Sequence, residues 1–169
     1  MDLLDKIEGT RFLGREFLVW LWYESERLEG VLEVDAAHSV ELWLEEQLTL
    51  VYEGLERAES QLKAGMPSAT PEAKEALRQG KMPTKAKMRI TRGPQTWGFL
   101  FQADTLSVAG VSVPALITED TDERFYERIQ LIEELESMLG GLYGRFVRLR
   151  TSAQWDEAAD AIRAWIREP

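Results

Sequence analysis

Two side-chain types that carry much of protein chemistry are almost missing from this sequence. The 169 residues include no cysteine and a single histidine, His38. The lack of cysteine excludes disulfides, thiolate zinc sites and cysteine nucleophiles, and it fits a reducing compartment. One histidine cannot form a His-rich metal site, and we interpret His38 as an ordinary loop residue. We therefore expect no bound metal, no cofactor and no catalytic residue of these types.

The sequence also has no apolar run of membrane-spanning length. Residues 17–23 (FLVWLWY) are strongly apolar but fall far short of the ~20 residues that cross a bilayer. The acidic start, MDLLDKIEG, lacks the positive charge and apolar stretch of a signal peptide. Gly140-Gly141 is not followed by the Lys-Ser/Thr of a phosphate-binding loop. We expect a cytoplasmic protein without membrane contact and without enzymatic activity.

Positive charge is in short supply, and it is unevenly distributed. The chain has 20 Lys and Arg against 30 Asp and Glu, a net charge of −10, which argues against a protein that coats DNA with its whole surface. One segment, residues 78–92, has no carboxylate at all. Its cations are Arg78, Lys81, Lys85, Lys87, Arg89 and Arg92.

Part of this segment alternates like a β-strand. Alternation puts Lys85, Lys87 and Arg89 on one face, ~6.5–7 Å apart along the strand. Phosphates follow one DNA strand at ~3.4 Å of axial rise, so such a row can meet every second phosphate without reading bases. The alternative is a solvated face paired with glutamates, or an edge strand that lysines protect from pairing.

A second basic cluster, in the segment GRFVRLR, contains Arg145, Arg148 and Arg150. Cations in the last turn of a helix complement its dipole and need no functional cause. The carboxylates show no spacing that a two-metal nuclease would demand, so a nuclease is a third and weaker hypothesis.

The periodicity predicts one α+β domain over residues 1–169. We expect an antiparallel sheet of four or five strands, packed by an N-terminal aromatic helix and two C-terminal helices. The expected helices cover 11–27 (capped by Thr10), 71–79, a long segment capped by Asp120, and a last one capped by Thr151 or Ser152. Two strands joined near 45–47 are expected in 40–52, then a loop at 60–70 and strands near 85–90, 97–102 and 105–113.

Two features of these helices leave alternatives open. In the first helix, Leu13, Phe17, Trp20 and Leu21 share a face that either packs into the core or forms an exposed aromatic patch for assembly. In the long helix, Gly140-Gly141 either ends it, kinks it or permits close packing.

Three stretches together resemble a known family. Residues 12–26 (FLGREFLVWLWYESE), 71–90 (PEAKEALRQGKMPTKAKMRI) and 124–166, which include FVRLR, resemble the carboxyl-terminal half of the recombination-associated protein RdgC family and its short bacterial relatives. The resemblance implies a homodimeric nucleoid protein that binds double-stranded DNA weakly, salt-dependently and with little sequence preference, and that restrains recombination, with a recombination protein as a possible partner. It also implies a ring with a basic inner surface, although we expect this chain to lack the amino-terminal half of the family.

The residues expected to face DNA follow from the resemblance by position. Lys81, Lys85, Lys87 and Arg89 are the main candidates, and Arg92, Arg145, Arg148 and Arg150 are further ones. The competing hypothesis is a protein-interaction or structural module of the same ancestry without DNA binding, which the net charge of −10 and the apolar segment 17–23 favour.

Overall fold

The computed structural model describes residues 3–53, 57–63 and 70–169. The helices of this part of the chain are α1 (Leu3–Arg27), α2 (Pro71–Arg78), α3 (Thr121–Arg150) and α4 (Trp155–Arg167). The strands are β1 (Val31–Glu33), β2 (Ser39–Glu53), β3 (Arg57–Lys63), β4 (Met82–Arg92), β5 (Gln95–Gln102) and β6 (Ser107–Ser112). A 3₁₀ turn at Ala103–Thr105 links β5 to β6.

The strands form one antiparallel sheet in the order β1-β2-β4-β5-β6, with β3 also paired to β2. The α+β class, the N-terminal aromatic helix and the two C-terminal helices are thus confirmed. The sheet has six strands in the described residues rather than four or five. The difference arises because the short strands β1 and β3 share the edge of β2 that faces away from β4.

β2 corrects the expectation of two strands in 40–52. It is one strand of 15 residues whose pairing with β4 shifts between Glu45 and Leu48. The step from Glu45 to Leu48 on β2 is two residues longer than the facing step from Lys87 to Ala86 on β4, and an insertion of two residues keeps the apolar side chains before and after it on the same face. The expected loop at 60–70 is also shorter, because residues 60–63 belong to β3; residues 64–69 lie outside the described part.

α1 forms the centre of the core. The ring of Phe17 lies 5.7 Å from that of Phe101 in β5 and 5.5 Å from that of Phe146 in α3. On another side of the helix, the ring of Trp22 meets that of Trp165 in α4 at 5.4 Å. The helix is therefore covered by the sheet and by the C-terminal helices, which confirms the core interpretation for Phe17, Trp20 and Trp22, whereas Phe12 is exposed.

Some of the helix caps predicted from the sequence are confirmed and others are wrong. Thr70 caps α2 and Asp120 caps α3, as expected. The Thr10 cap is wrong, because α1 already begins at Leu3 and Thr10 lies inside it. The cap expected at Thr151 or Ser152 is also wrong, because α4 begins after Gln154, which makes no side-chain cap.

α3 runs unbroken through its glycine pair. Of the three alternatives for Gly140-Gly141, close packing applies to Gly141, where a Cβ atom would lie 2.5 Å from Val34 Cγ1. Within the described ranges, no helix is both long enough and apolar enough to cross a bilayer.

Candidate nucleic-acid interface

Three of the predicted cations lie side by side on the solvent-facing side of β4. The strand buries Ala86 and Met88 against the helices and turns Lys85, Lys87 and Arg89 the other way. Lys85 and Arg89 are exposed and Lys87 is half-buried. We call these three residues the cationic row and this side of the sheet the open face.

The neighbours of the cationic row are mostly uncharged. Each cation lies between one residue of β2 and one of β5 in the register of the sheet. The flanking pairs are Thr49 and Gln102 for Lys85, Glu45 and Leu100 for Lys87, and Trp43 and Gly98 for Arg89. A row of cations with mostly uncharged neighbours suits a phosphate backbone better than a base edge.

Glu45 is the carboxylate that interrupts this charge. Its Oε1 atom lies 2.9 Å from Nη2 of Arg89, and in register it is directly opposite Lys87. A second acid, Glu41, accepts the indole N–H of Trp43 at 2.7 Å. Exposed ion pairs of this kind contribute ~0–1 kcal/mol, so Arg89 can exchange Glu45 for another anion at little cost.

A polar cavity of about 240 Å³ lies beside Lys85. One wall contains Arg15, which donates to both oxygens of Asp104 at 2.7 and 3.0 Å. Hydroxyls and amides such as those of Thr49 and Gln102 form much of the remaining lining, and Glu59 adds a second carboxylate beside that of Asp104. The cavity extends the polar character of the open face at one end of the cationic row.

The other predicted residues of the basic segment do not join the row. Arg92 lies in an even position of β4 and points toward α3, where it meets Glu134 at 2.8 Å and the ring of Trp97 at 5.2 Å. Lys81 precedes β4, and its ammonium donates to the hydroxyl of Ser60.

The second cluster lies on α3, in the helical layer. Arg145 stacks 5.7 Å from the ring of Trp20 and donates to a backbone carbonyl. Arg150 meets Glu16 at 2.8 Å and lies 4.8 Å from the ring of Trp155. Arg148 is exposed on the same helix. Because α3 packs on the core side of the sheet, the structure does not bring these arginines to the cationic row.

Two features of functional interest were missed at the level of sequence. One is the pairing of Arg89 with Glu45, which depends on the long-range register of β2 and β4. The other is a group of exposed apolar side chains at and before the start of α3, which we call the apolar patch: Ile117, Phe125, Tyr126 and Ile129. The spacing of Phe125 and Ile129 gave no sign of exposure, because it matches that of the buried residues further along α3.

The described residues show no group of three or more His, Asp or Glu side chains arranged to hold a metal ion. The site and fold together define an α+β protein with helices on one side of an antiparallel sheet and cations on the other. Comparisons with protein-family models, curated proteins and solved structures give no match.

Proposed function

We propose that this chain is a non-enzymatic protein that binds DNA weakly and without sequence preference through the cationic row. The observation that supports the proposal is the alignment of Lys85, Lys87 and Arg89 along one strand, on the side of the sheet away from the core. Alternate residues of a strand repeat every ~6.5–7 Å, which matches two phosphate steps of ~3.4 Å.

Binding of this kind acts through phosphate neutralisation. Each lysine or arginine that pairs with a phosphate releases condensed counterions, so affinity falls steeply as salt increases. The row consists of three cations on a strand within the sheet, which suits contacts to phosphates rather than readout of base edges. The net charge of −10 and the nearby Glu45 keep the affinity low.

The resemblance to RdgC proteins adds biological context to this proposal. It supports double-stranded DNA as the ligand, a place in the bacterial nucleoid, a role in recombination and a homodimeric state. The acidic body with a basic strip agrees with a protein that approaches DNA with one surface only.

The test is a double charge reversal in the row. Lys85→Glu with Lys87→Glu should lower affinity for a labelled duplex at low salt by about tenfold or more, because two phosphate contacts become repulsive. The chain should stay folded, because both side chains point away from the core, with a lower melting temperature since Lys87→Glu places a second carboxylate opposite Glu45.

The matched control is Arg163→Glu with Arg167→Glu, which changes the net charge equally on exposed positions of α4. We expect a much smaller loss of binding. Equal losses in the two double variants would show that net charge, not the row, governs binding, and the proposal would fail.

The second candidate function is a protein-interaction module, and the apolar patch favours it. The exposed fractions are 90% for Ile117, 62% for Phe125, 69% for Tyr126 and 39% for Ile129. Phe125 and Tyr126 contact each other through their rings, and a group of exposed apolar side chains of this size often marks an interaction surface. Complete flow-through on heparin at low salt would favour this function, whereas retention that salt reverses would favour DNA binding.

A further inference from the structure

An open groove of about 470 Å³ runs between α3 and the β5–β6 end of the sheet. The aromatic rings of Phe17, Phe101 and Tyr143 line it. The Phe17 ring meets those of Phe101 and Tyr143 edge to face, at 5.7 and 5.1 Å. A concave space of this volume with a mainly apolar and aromatic lining is typical of a small-molecule site.

Gly140 leaves the α3 side of this groove without a side chain. A Cβ atom added there would meet no atom of another segment within 4 Å. Glu136 lies about one turn before this glycine and Tyr143 about one turn after it, and both line the groove. At 1.5 Å per residue the two positions are ~10.5 Å apart along the helix. The helix therefore offers a gap with a carboxylate at one end and a phenol ring at the other.

The charge on the groove is negative. Among the described lining residues Glu136 is the one charged side chain, and its exposed carboxylate has no ion-pair or hydrogen-bond partner in that part of the chain. The hydroxyl of Ser107 already shares hydrogen bonds with Thr105 at 2.6 Å and with Gln102 at 3.3 Å. Burial raises the pKa of the Tyr143 phenol, so this group stays neutral at neutral pH.

We propose that the groove binds a small organic ammonium ion with an aromatic or alkyl body. The ammonium group lies beside the carboxylate of Glu136. The apolar body extends past Gly140, against the rings of Phe17 and Tyr143.

This class of ligand fits the groove better than other apolar molecules. A fatty acid or another apolar anion would bring a second negative charge to Glu136, with no cation among the described lining residues to compensate it. A neutral apolar molecule would contact the rings but leave the carboxylate unused. An ammonium ion is attracted both by the carboxylate and by aromatic rings. Because Glu136 is exposed, the apolar body provides most of the affinity and the charge sets the preference.

The inference goes beyond DNA binding and does not depend on it. The groove contacts Phe101 on the core side of β5, while the cationic row lies on the open face. A ligand titration without DNA therefore separates failure of this inference from failure of the DNA proposal.

The test is an NMR titration of the isotope-labelled chain with three probes that share one body and differ in charge: phenylbutylammonium, phenylbutanol and phenylbutyrate. We expect saturable shifts that are largest at the amides of residues 106–108 and 139–143. The ammonium probe should bind roughly two- to fivefold more tightly than the neutral alcohol, which is the range of an exposed ion pair. The carboxylate probe should bind most weakly.

Glu136→Gln tests the charge preference. It should abolish the advantage of phenylbutylammonium over phenylbutanol while the alcohol binds as before, because the apolar lining is unchanged. Glu157→Gln, at an exposed position of α4, removes the same charge away from the groove and is the matched control. It should leave the preference intact.

Gly140→Leu tests the location. A leucine side chain fills the gap on α3, so all three probes should bind about tenfold more weakly or worse. Leucine favours helix, and the position has free space, so the fold should be retained. Glu136→Gln changes an exposed side chain and stays informative even if Gly140→Leu perturbs the fold.

Three results would overturn the inference. The first is the lack of saturable binding of any probe up to about 10 mM. The second is equal affinity for the three probes, or a preference that Glu136→Gln leaves unchanged. The third is binding that a folded Gly140→Leu variant retains in full.

Discussion

At the scale of single residues, Glu45 most directly limits the positive charge of the open face. It meets the guanidinium of Arg89 at 2.9 Å and lies opposite Lys87 in the sheet. Opposite charges paired across strands stabilise a sheet by ~0.2–1 kcal/mol. The same carboxylate therefore supports the fold slightly and competes with any phosphate for the row.

Replacing Glu45 should strengthen DNA binding. Glu45→Gln removes one negative charge and frees Arg89 to contact a phosphate. We expect affinity for a duplex at low salt to increase by roughly three- to tenfold, with a steeper salt dependence. Fluorescence anisotropy with a labelled duplex measures both quantities.

Glu134→Gln is the control for this prediction. It removes the partner of Arg92, changes the net charge by the same amount and lies on α3, away from the open face. We expect little change in affinity. If both variants strengthened binding equally, the effect would come from overall charge and the row would have no special part.

At the scale of elements, α3 contains two adjacent glycines with opposite roles. A Cβ atom at Gly141 would lie 2.5 Å from Val34 Cγ1, whereas one at Gly140 would meet no other segment within 4 Å. Gly141 permits α3 to pack against the residues that follow β1, and Gly140 borders an open apolar groove lined by Phe17, Phe101 and Tyr143.

Alanine substitutions should therefore change stability in opposite directions. Gly140→Ala should raise the free energy of unfolding by ~0.5–1 kcal/mol through helix propensity. Gly141→Ala should lower it by ~1–3 kcal/mol, because Val34 or the helix must move. Urea unfolding at a low protein concentration measures both. Effects of the same sign would contradict the packing described for this pair.

The elements that local patterns specify were predicted, and those that depend on distant contacts were not. Thr70 with Pro71 predicts the start of α2, and Asp120 predicts the start of α3, because a cap is a local hydrogen-bonding requirement. The continuity of β2 was missed, because a bulge and a tight turn interrupt alternation in the same way. The extension of α1 to Leu3 was missed because Thr10 mimics a cap.

The same distinction applies to the candidate site. Alternation alone predicts that Lys85, Lys87 and Arg89 share a face, and they do. Alternation also places Arg92 on the other face of the strand from these three residues, because its even position directs it toward α3. The carboxylate-free segment 78–92 had suggested that all of its cations act together. The ion pair of Arg89 with Glu45 depends on sheet register, which a single strand's sequence does not contain.

At the scale of the whole molecule, the proposals assign the two sides of the sheet to different partners. The open face carries the cationic row, and the helical side carries the groove and the apolar patch. The proposed homodimer would present two rows. If one DNA molecule contacts both rows, binding at the first row raises the effective concentration of DNA at the second. The overall affinity then increases without any new kind of contact. The weak charge of a single row is then compatible with useful binding by the pair.

The salt dependence of duplex binding tests the central claim most directly. Two contacts per chain from Lys85 and Lys87, with a third when Arg89 exchanges Glu45 for a phosphate, predict a slope between about −1.8 and −2.7 in a plot of log affinity against log salt, at ~0.9 for each contact. Lys85→Ala should make the slope shallower by about 0.9 while the fold is retained. A slope near zero, or a slope that Lys85→Ala leaves unchanged, would contradict DNA binding through the cationic row.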